Sequence, residues 1–286
     1  KIAIGRGLCA IFAKSIVETK FIYYCLNSYI NNIKRMATGA TFEAINTNDV
    51  KSIKIPFPPL PIQQEIVRIL DSFTELIKEL NAELDARRKQ YEYYRNLLIS
   101  NTDKIEWKTI DQISINHDSK RKPIPKAKRR SGAYPYYGAS GIVDYIDDYI
   151  FDGEYLLVSE DGANLLSRNT PIAFSATGKI WVNNHAHVLE FSNYATRRYI
   201  EVYLNSINLS KYISAAAQPK LTQENLNRIP IPFPPLKEQQ RIVDILDRFD
   251  TLINDPNIGI PAEIEARQKQ YEYYRDKLLD FKEVAS

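Results

Sequence analysis

The sequence predicts an α/β (α+β) protein in which globular domains alternate with long helices that pair as a coiled coil. Three observations carry that expectation. Residues 60–100 place apolar side chains in the alternating steps of three and four that a coiled-coil seam requires. The same helix is written a second time near the end of the chain. Between the two copies lies a stretch rich in tyrosine, glycine and β-branched residues, whose short alternating runs read as strands joined by tight turns.

The first long helix starts at Pro61, where proline is tolerated because the first helical N–H groups have no intrahelical acceptor. Its expected seam is Ile62, Ile66, Ile69, Phe73, Leu76 and Leu80, and after a slip of one residue Leu84, Tyr91 and Leu98. Neither glycine nor proline follows until the run ends, so one unbroken helix of roughly 60 Å is expected, longer than a compact core needs and suited to a spacer.

The duplication is explicit. IPFPPL at 55–60 returns at 231–236, an offset of 176 residues, and KQYEYYR at 89–95 returns at 269–275, an offset of 180. The difference of four residues falls in NDPNIGIP at 254–261, which is expected to interrupt the second helix. Its seam residues Ile264, Tyr271 and Leu278 match Leu84, Tyr91 and Leu98. A period this long excludes a solenoid and implies two globular domains, each followed by a helix. The expected divisions are 1–55, the C-terminal part of a first domain lacking its front; 56–100, the first helix; 101–235, the complete second domain; and 236–286, the second helix.

With 286 residues, 44% hydrophobic and 26% charged, the composition is that of an ordinary globular chain. The net charge of +3 is small, so any nucleic-acid binding must come from local clustering. Cys9 and Cys25 offer neither metal spacing nor a disulfide framework, which fits a reducing cytoplasm. No apolar run reaches membrane-spanning length. The chain opens on KIAIGRGLCAIF, which reads as the middle of a β-rich domain, with a strand over 2–12, a helix over 18–35 and a strand carrying Ile53 and Ile55.

In the second domain, KRKPIPKAKRR at 120–130 holds seven basic residues and no acid: Lys120, Arg121, Lys122, Lys126, Lys128, Arg129 and Arg130. Such a segment is either a solvated loop or a phosphate-gripping one, in which each cation releases condensed counterions. Tyr137, Gly138 and Ser140 lie in a glycine-punctuated turn where backbone can approach a ligand. Glu160, Asp161 and Asn164 share one expected turn; they can bind a metal, accept from a cytosine amino group, or form a plain polar turn. Asn183 and Asn184 can read adenine or close an Asx-turn. His185 and His187, two apart, would share a face of a strand, but no third ligand completes a zinc set. Lys179 and Lys220 are further candidate phosphate contacts. There is no nucleophile elbow and no phosphate-binding glycine-rich loop, which argues against a self-sufficient enzyme.

The chain resembles the specificity subunit of type I DNA restriction-modification systems. The residues that carry the resemblance are PFPPLPIQQEIVRILDSF and ELDARRKQYEYYR in the first helix, and PFPPLKEQQRIVDILDRF and EIEARQKQYEYYR in the second. YPYYGASGI, YIFDGEYLLVSEDGANL and GKIWVNNHAHVLEF resemble the family's target-recognition domain. The resemblance implies target-recognition domains that each read half of a bipartite double-stranded DNA site, on helices paired as an antiparallel coiled coil that sets the gap. It also implies docking of methyltransferase (M) subunits and, through them, restriction (R) subunits, with Arg87, Arg88, Tyr91, Arg95, Arg267, Tyr271 and Arg275 as helix residues placed to hold partners. It places no cofactor on this chain; S-adenosylmethionine, ATP and Mg belong to the partner subunits. Self-association is a further expectation, given the incomplete first domain. Two other readings remain open: a scaffold that assembles partners without reading DNA, and a metal-dependent nuclease built on Glu160, Asp161, His185 and His187.

Overall fold

The structure is a computed structural model; it describes residues 9–37, 44–100, 105–161, 165–166, 170–214 and 219–282. The chain divides into two compact units, one made of residues 1–87 and 251–286, the other of residues 88–250. Each contains a stretch of both long helices.

In the first unit, α1 (Thr19–Ser28) and α2 (Ile30–Met36) are separated at Tyr29, so the expected single helix is two. A short α3 (Thr47–Ser52) is closed by a capping box between Asn46 and Asp49. The long helix α4 (Leu60–Ser100) is unbroken for 41 residues, as the lack of glycine and proline requires, and contributes residues 60–87 here. Its exposed flank carries Glu65–Arg68, Glu75–Lys78 and Glu83–Arg87 ion pairs at helical spacing.

The core of this unit is Phe21, Tyr24 and Cys25 of α1 against Ile66, Val67 and Leu70 of α4 and Leu279 of the last helix. The seam therefore differs in register from the sequence expectation. Gln63, Ile66, Val67 and Leu70 are buried, whereas Ile62 and Leu76 are exposed. A polar residue at position 63 hides the true stripe from an apolar count. Of the expected strand over 2–12, residues 2–8 lie outside the described residues and Cys9 to Phe12 have no regular structure; the expected strand carrying Ile53 and Ile55 is not formed, since 53–57 has no strand partner among the described residues.

The second copy of the long helix is α8 (Leu236–Asn254) and α9 (Ile260–Leu279), interrupted where the inserted residues lie. Asp255 accepts from the backbone N–H groups of Asn257 and Ile258, a turn that stops the helix. Gly259 then passes so near the end of α8 that a Cβ would sit 2.6 Å from the Thr251 carbonyl oxygen. In this unit Leu278 and Leu279 lie with Ile66 and Leu70, while Phe73 stacks on Tyr274 at 5.5 Å, so α9 runs antiparallel to α4.

The second unit is built on a six-stranded sheet in the order β2-β7-β5-β6-β3-β4, and a two-stranded β1-β8 ribbon. The strands are β1 (Glu106–Thr109), β2 (Ile115–Asn116), β3 (Ser131–Gly138), β4 (Gly141–Ile146), β5 (Phe151–Ser159), β6 (Ala173–Val182), β7 (Ala186–Glu190) and β8 (Pro230–Phe233). All pairings are antiparallel except β3 with β6, where Tyr136 and Tyr137 pair with Trp181 and Val182. The sheet is strongly coiled. Tyr137 is paired with Val182, yet its ring also stacks on Phe174, eight residues earlier on the same strand. Gly178, at φ +79°, lies between them in the left-handed region where glycine is favoured.

The inside of this coil is filled by Phe151, Leu157, Ala176, Ile180, Val182, Ala186 and Val188. The other face packs on α6 (Tyr194–Ser206), α7 (Gln223–Asn227), α8 and the end of α4, through Leu156, Val158, Leu189, Tyr199, Ile200, Ile242 and Leu246. The short α5 (Ile110–Ile113) seals one end with Ile110. Here Tyr94 of α4 stacks on Phe249 of α8 at 5.8 Å, the counterpart of the Phe73–Tyr274 pair.

The duplication extends to individual hydrogen bonds. Gln63 donates to the Pro58 carbonyl and accepts from the Glu18 N–H; Gln239 donates to the Pro234 carbonyl and accepts from the Thr196 hydroxyl. Asp71 accepts from Lys20 and Tyr24; Asp247 accepts from Arg198 and Tyr194. Because Gln239 is fully buried, Gln239→Ala strands the Thr196 hydroxyl and the Pro234 carbonyl, and it is expected to destabilise the protein by about 1–3 kcal/mol. The exposed neighbour Gln240→Ala is expected to change stability by less than about 0.5 kcal/mol. Urea unfolding of both variants measures the difference.

Candidate nucleic-acid interface

The basic segment begins immediately after a buried carboxylate. Asp118 sits in a 3₁₀ turn and accepts from the Val188 N–H at 2.9 Å and from His187 Nδ1 at 2.5 Å, with Arg121 at 3.3 Å. Burial alone would raise its carboxyl, but the His187 hydrogen bond and charge, the Val188 N–H and Arg121 outweigh it and hold it below the usual range. The other ring nitrogen of His187 meets the Leu221 carbonyl at 2.7 Å. Both ring nitrogens of His187 are thus held by oxygen atoms of other segments.

Arg121 continues the network. Its guanidinium donates to Glu160 at 2.8 Å and to the Ala186 carbonyl at 3.0 Å. Lys220 reaches Glu160 from the other side at 3.2 Å. Burial would again raise Glu160, and hydrogen bonds from Arg121 and Lys220, with the charge of His187, hold it low. The backbone ties the same segments together: Glu160 N–H to the His185 carbonyl, Leu221 N–H to the Glu160 carbonyl, Asn183 N–H to the Tyr137 carbonyl and Lys122 N–H to the Val182 carbonyl. Segments 118–122, 137–138, 160–161, 183–187 and 220–221 thus meet at one place, although they are spread over about a hundred residues of sequence.

Within this cluster the candidates separate into two kinds. Lys120, Lys122, Lys126, Lys128 and Arg130 are exposed, and among the described residues their side chains make no ion pair or hydrogen bond. Arg121, Arg129 and Lys220 are committed inward. Arg129 pairs with Asp144 at 3.1 Å, donates to the Ile124 carbonyl and lies over the Tyr136 ring at 4.3 Å. The segment runs between two 3₁₀ turns, Asp118–Lys120 and Lys126–Lys128, and the Tyr136 hydroxyl anchors it by accepting from the Ile124 N–H at 2.9 Å.

The two histidines do not share a face. His185 is exposed in a turn beside Asp161 at 3.0 Å, while His187 is a core residue of β7. The strand begins only at Ala186, which is why alternation across 185–187 misleads. The four residues of the nuclease reading therefore do not converge on one solvent-facing site. Among the described residues no group of three or more His, Cys, Asp or Glu is arranged to hold a metal.

Asn183 is buried and closes the turn by accepting from the His185 N–H, the Asx-turn alternative, while Asn184 is exposed. Gly138 sits in close packing: a Cβ there would lie 3.1 Å from Val143 and 3.3 Å from the Asn183 amide, and those side chains would have to give way by a few tenths of an ångström. Tyr137 is half-buried, and burial raises its hydroxyl above the usual value. Ser140 is exposed at the turn, and Lys179 is exposed with its ammonium over the Tyr149 ring. Asn164 lies outside the described residues. On the helices, Tyr91 and Tyr271 pack on the hydrophobic cores, with Arg95 and Arg275 over their rings. Arg87 pairs with Glu83, Arg267 with Glu263, and Arg88 is exposed. The most exposed aromatics there are Tyr93 and Tyr273, equivalent positions that the seam pattern passes over.

Asp118 and Glu160 are both depressed in the folded protein, so their contribution to stability is complete above the ordinary carboxylate range and is lost as pH falls through their lowered values. Asp118→Asn removes part of that linkage. The acid limb of a stability–pH curve, measured by urea unfolding, is expected to be steeper in wild type than in this variant.

Comparison with known proteins agrees with this architecture. The family described as Type I restriction modification DNA specificity domain matches residues 1–86 and 103–266. The chain is 34% identical over 289 residues to the EcoR124I/EcoR124II specificity subunit of Escherichia coli, covering 92% of this chain and 70% of that protein. It is 40% identical over 184 residues to a type I restriction enzyme specificity subunit of Haemophilus influenzae, covering 63% of this chain and spanning about half, 47%, of that relative. The crystal structure of the S subunit of a type I restriction-modification system from M. genitalium shares the fold, with TM-score 0.63 at 18% identity over 93% of this chain and 74% of that one. No helix among the described residues is long and apolar enough to cross a membrane. The chain belongs to the family of type I restriction-modification DNA specificity subunits.

Proposed function

We propose that this chain is a non-catalytic DNA-reading subunit of a type I restriction-modification complex, and that its second unit reads half of a bipartite site in double-stranded DNA. The observation that carries the reading is the row of five exposed, unpaired cations, Lys120, Lys122, Lys126, Lys128 and Arg130, beside the place where four other loop segments meet. Cations free of protein partners are the ones able to replace counterions along a phosphate backbone. The adjoining polar turns, with exposed Ser140, Asn184 and His185, offer groups for base edges.

The long helices are proposed to dock methyltransferase subunits and, through them, restriction subunits. The exposed Tyr93 and Tyr273 and the basic residues around them support that role, since aromatic and arginine side chains anchor interfaces. In this reading S-adenosylmethionine, ATP and Mg are held by the partner subunits, the complex works in the cytoplasm, and this chain supplies specificity alone.

The triple variant Lys126→Ala, Lys128→Ala, Arg130→Ala leaves every described ion pair intact. It is expected to weaken binding to duplex DNA irrespective of sequence and to flatten the log–log salt slope by about two to three units. Titration of a fluorescent duplex at several salt concentrations reads both. Unchanged affinity and slope would remove the segment from the DNA interface.

A further inference from the structure

Next to the basic segment stands a β-ribbon whose tip exposes two neighbouring aliphatic side chains. β4 ends the sheet order and pairs with β3 alone. The turn between them passes through Ala139 and Ser140 to Gly141 at φ +113°, a conformation glycine adopts readily. The next two residues, Ile142 and Val143, are 47% and 53% exposed, and Tyr145 is 51% exposed. Tyr137 pairs with Ile142 and Tyr136 with Asp144, so Val143 is the extra residue of a bulge that re-aims the side chains at the tip, and both aliphatics stand open to solvent. Ile146, at the other end of the strand, is buried with Tyr136 and Trp181. The ribbon is thus rooted in the core at one end and projects at the other.

Its setting identifies the occupant. Residues 138–143 carry no charge. Asp144, just below the tip, is neutralised by Arg129 and lies within the field of Lys126. Val143 is in the group of atoms around Gly138 and Asn183, so the tip adjoins the turn at 183–185. An apolar ribbon flanked by unpaired cations is complementary to a duplex groove, where phosphates line the rims and the thymine 5-methyl group is the apolar feature of the base edges. A two-stranded ribbon also fits the width of the major groove.

We propose that the β3–β4 ribbon enters the major groove and that Ile142 and Val143 are specificity-determining residues that contact thymine methyl groups. The inference rests on the DNA-reading function above and adds the chemistry of one part of the half-site. Base selection here comes from apolar surface, while the cations at 120–130 supply affinity common to all sequences.

The test uses the full chain assembled with its cognate methyltransferase subunits, on a duplex carrying the motif that this complex methylates. Each thymine in turn is replaced by uracil, which removes one methyl group and nothing else. Wild type is expected to bind about four-fold more weakly at one or two positions. The double variant Ile142→Ser, Val143→Ser is expected to bind thymine and uracil duplexes equally while assembling normally. Discrimination that survives in the double variant, indifference of wild type at every position, or a half-site without thymine would overturn the ribbon's role and leave DNA reading intact. Failure of the double variant to assemble would mark the ribbon as a protein contact and would also overturn it. Absence of sequence-dependent binding by the wild-type complex would overturn the DNA-reading function, and the ribbon's role with it.

Discussion

The architecture depends on a buried glutamine at the start of each long helix. Gln63 and Gln239 follow the two PFPP segments, and each is sealed from water. A buried primary amide must satisfy donor and acceptor together, and each side chain does so by spanning two segments: the proline-rich entry, through Pro58 or Pro234, and the globular helix region, through Glu18 or Thr196. Such a clamp fixes the angle at which the chain enters the helix. The neighbouring carboxylates Asp71 and Asp247 fix it further, one turn beyond Val67 and Val243. Apolar packing supplies most of the stabilisation in both units, but it is non-directional, and these polar contacts set orientation.

Electrostatics does two separate jobs in the second unit. Inward, Arg121 and Lys220 pair with Asp118 and Glu160, His187 hydrogen-bonds to Asp118, and the network holds together segments that are far apart in sequence. Outward, five cations of the same basic segment are left without partners among the described residues. A net charge of +3 conceals both, because the acids that would offset the segment are held elsewhere in the fold. Local placement, rather than total charge, creates the positive surface.

Much of this was legible in the sequence. The bounds of α4 follow from Pro61 and the absence of later breakers, and the interruption of the second helix follows from the four-residue insertion. The seam register was not legible, because Gln63 occupies a core position that hydropathy assigns to solvent. Nor did the composition of 120–130 distinguish free cations from committed ones: the partner of Arg121 is Glu160, 39 residues away, and that of Arg129 is Asp144, brought back by the β3–β4 hairpin. His187 misled for the same reason, since its partners Asp118 and Leu221 lie on other segments. The exposed pair Ile142 and Val143 did leave a signal. Two consecutive aliphatics after a glycine turn break the alternation expected of a half-buried strand.

Methylation mapping decides whether this chain directs modification to a DNA sequence. The chain is co-expressed with its cognate methyltransferase subunit in a host that lacks methylation, and the genome is sequenced for modified adenines. Modification is expected at one discrete bipartite motif with a fixed gap. A stable complex that leaves the genome unmodified, or modifies it without a motif, would contradict it and leave a scaffold in place of a reader.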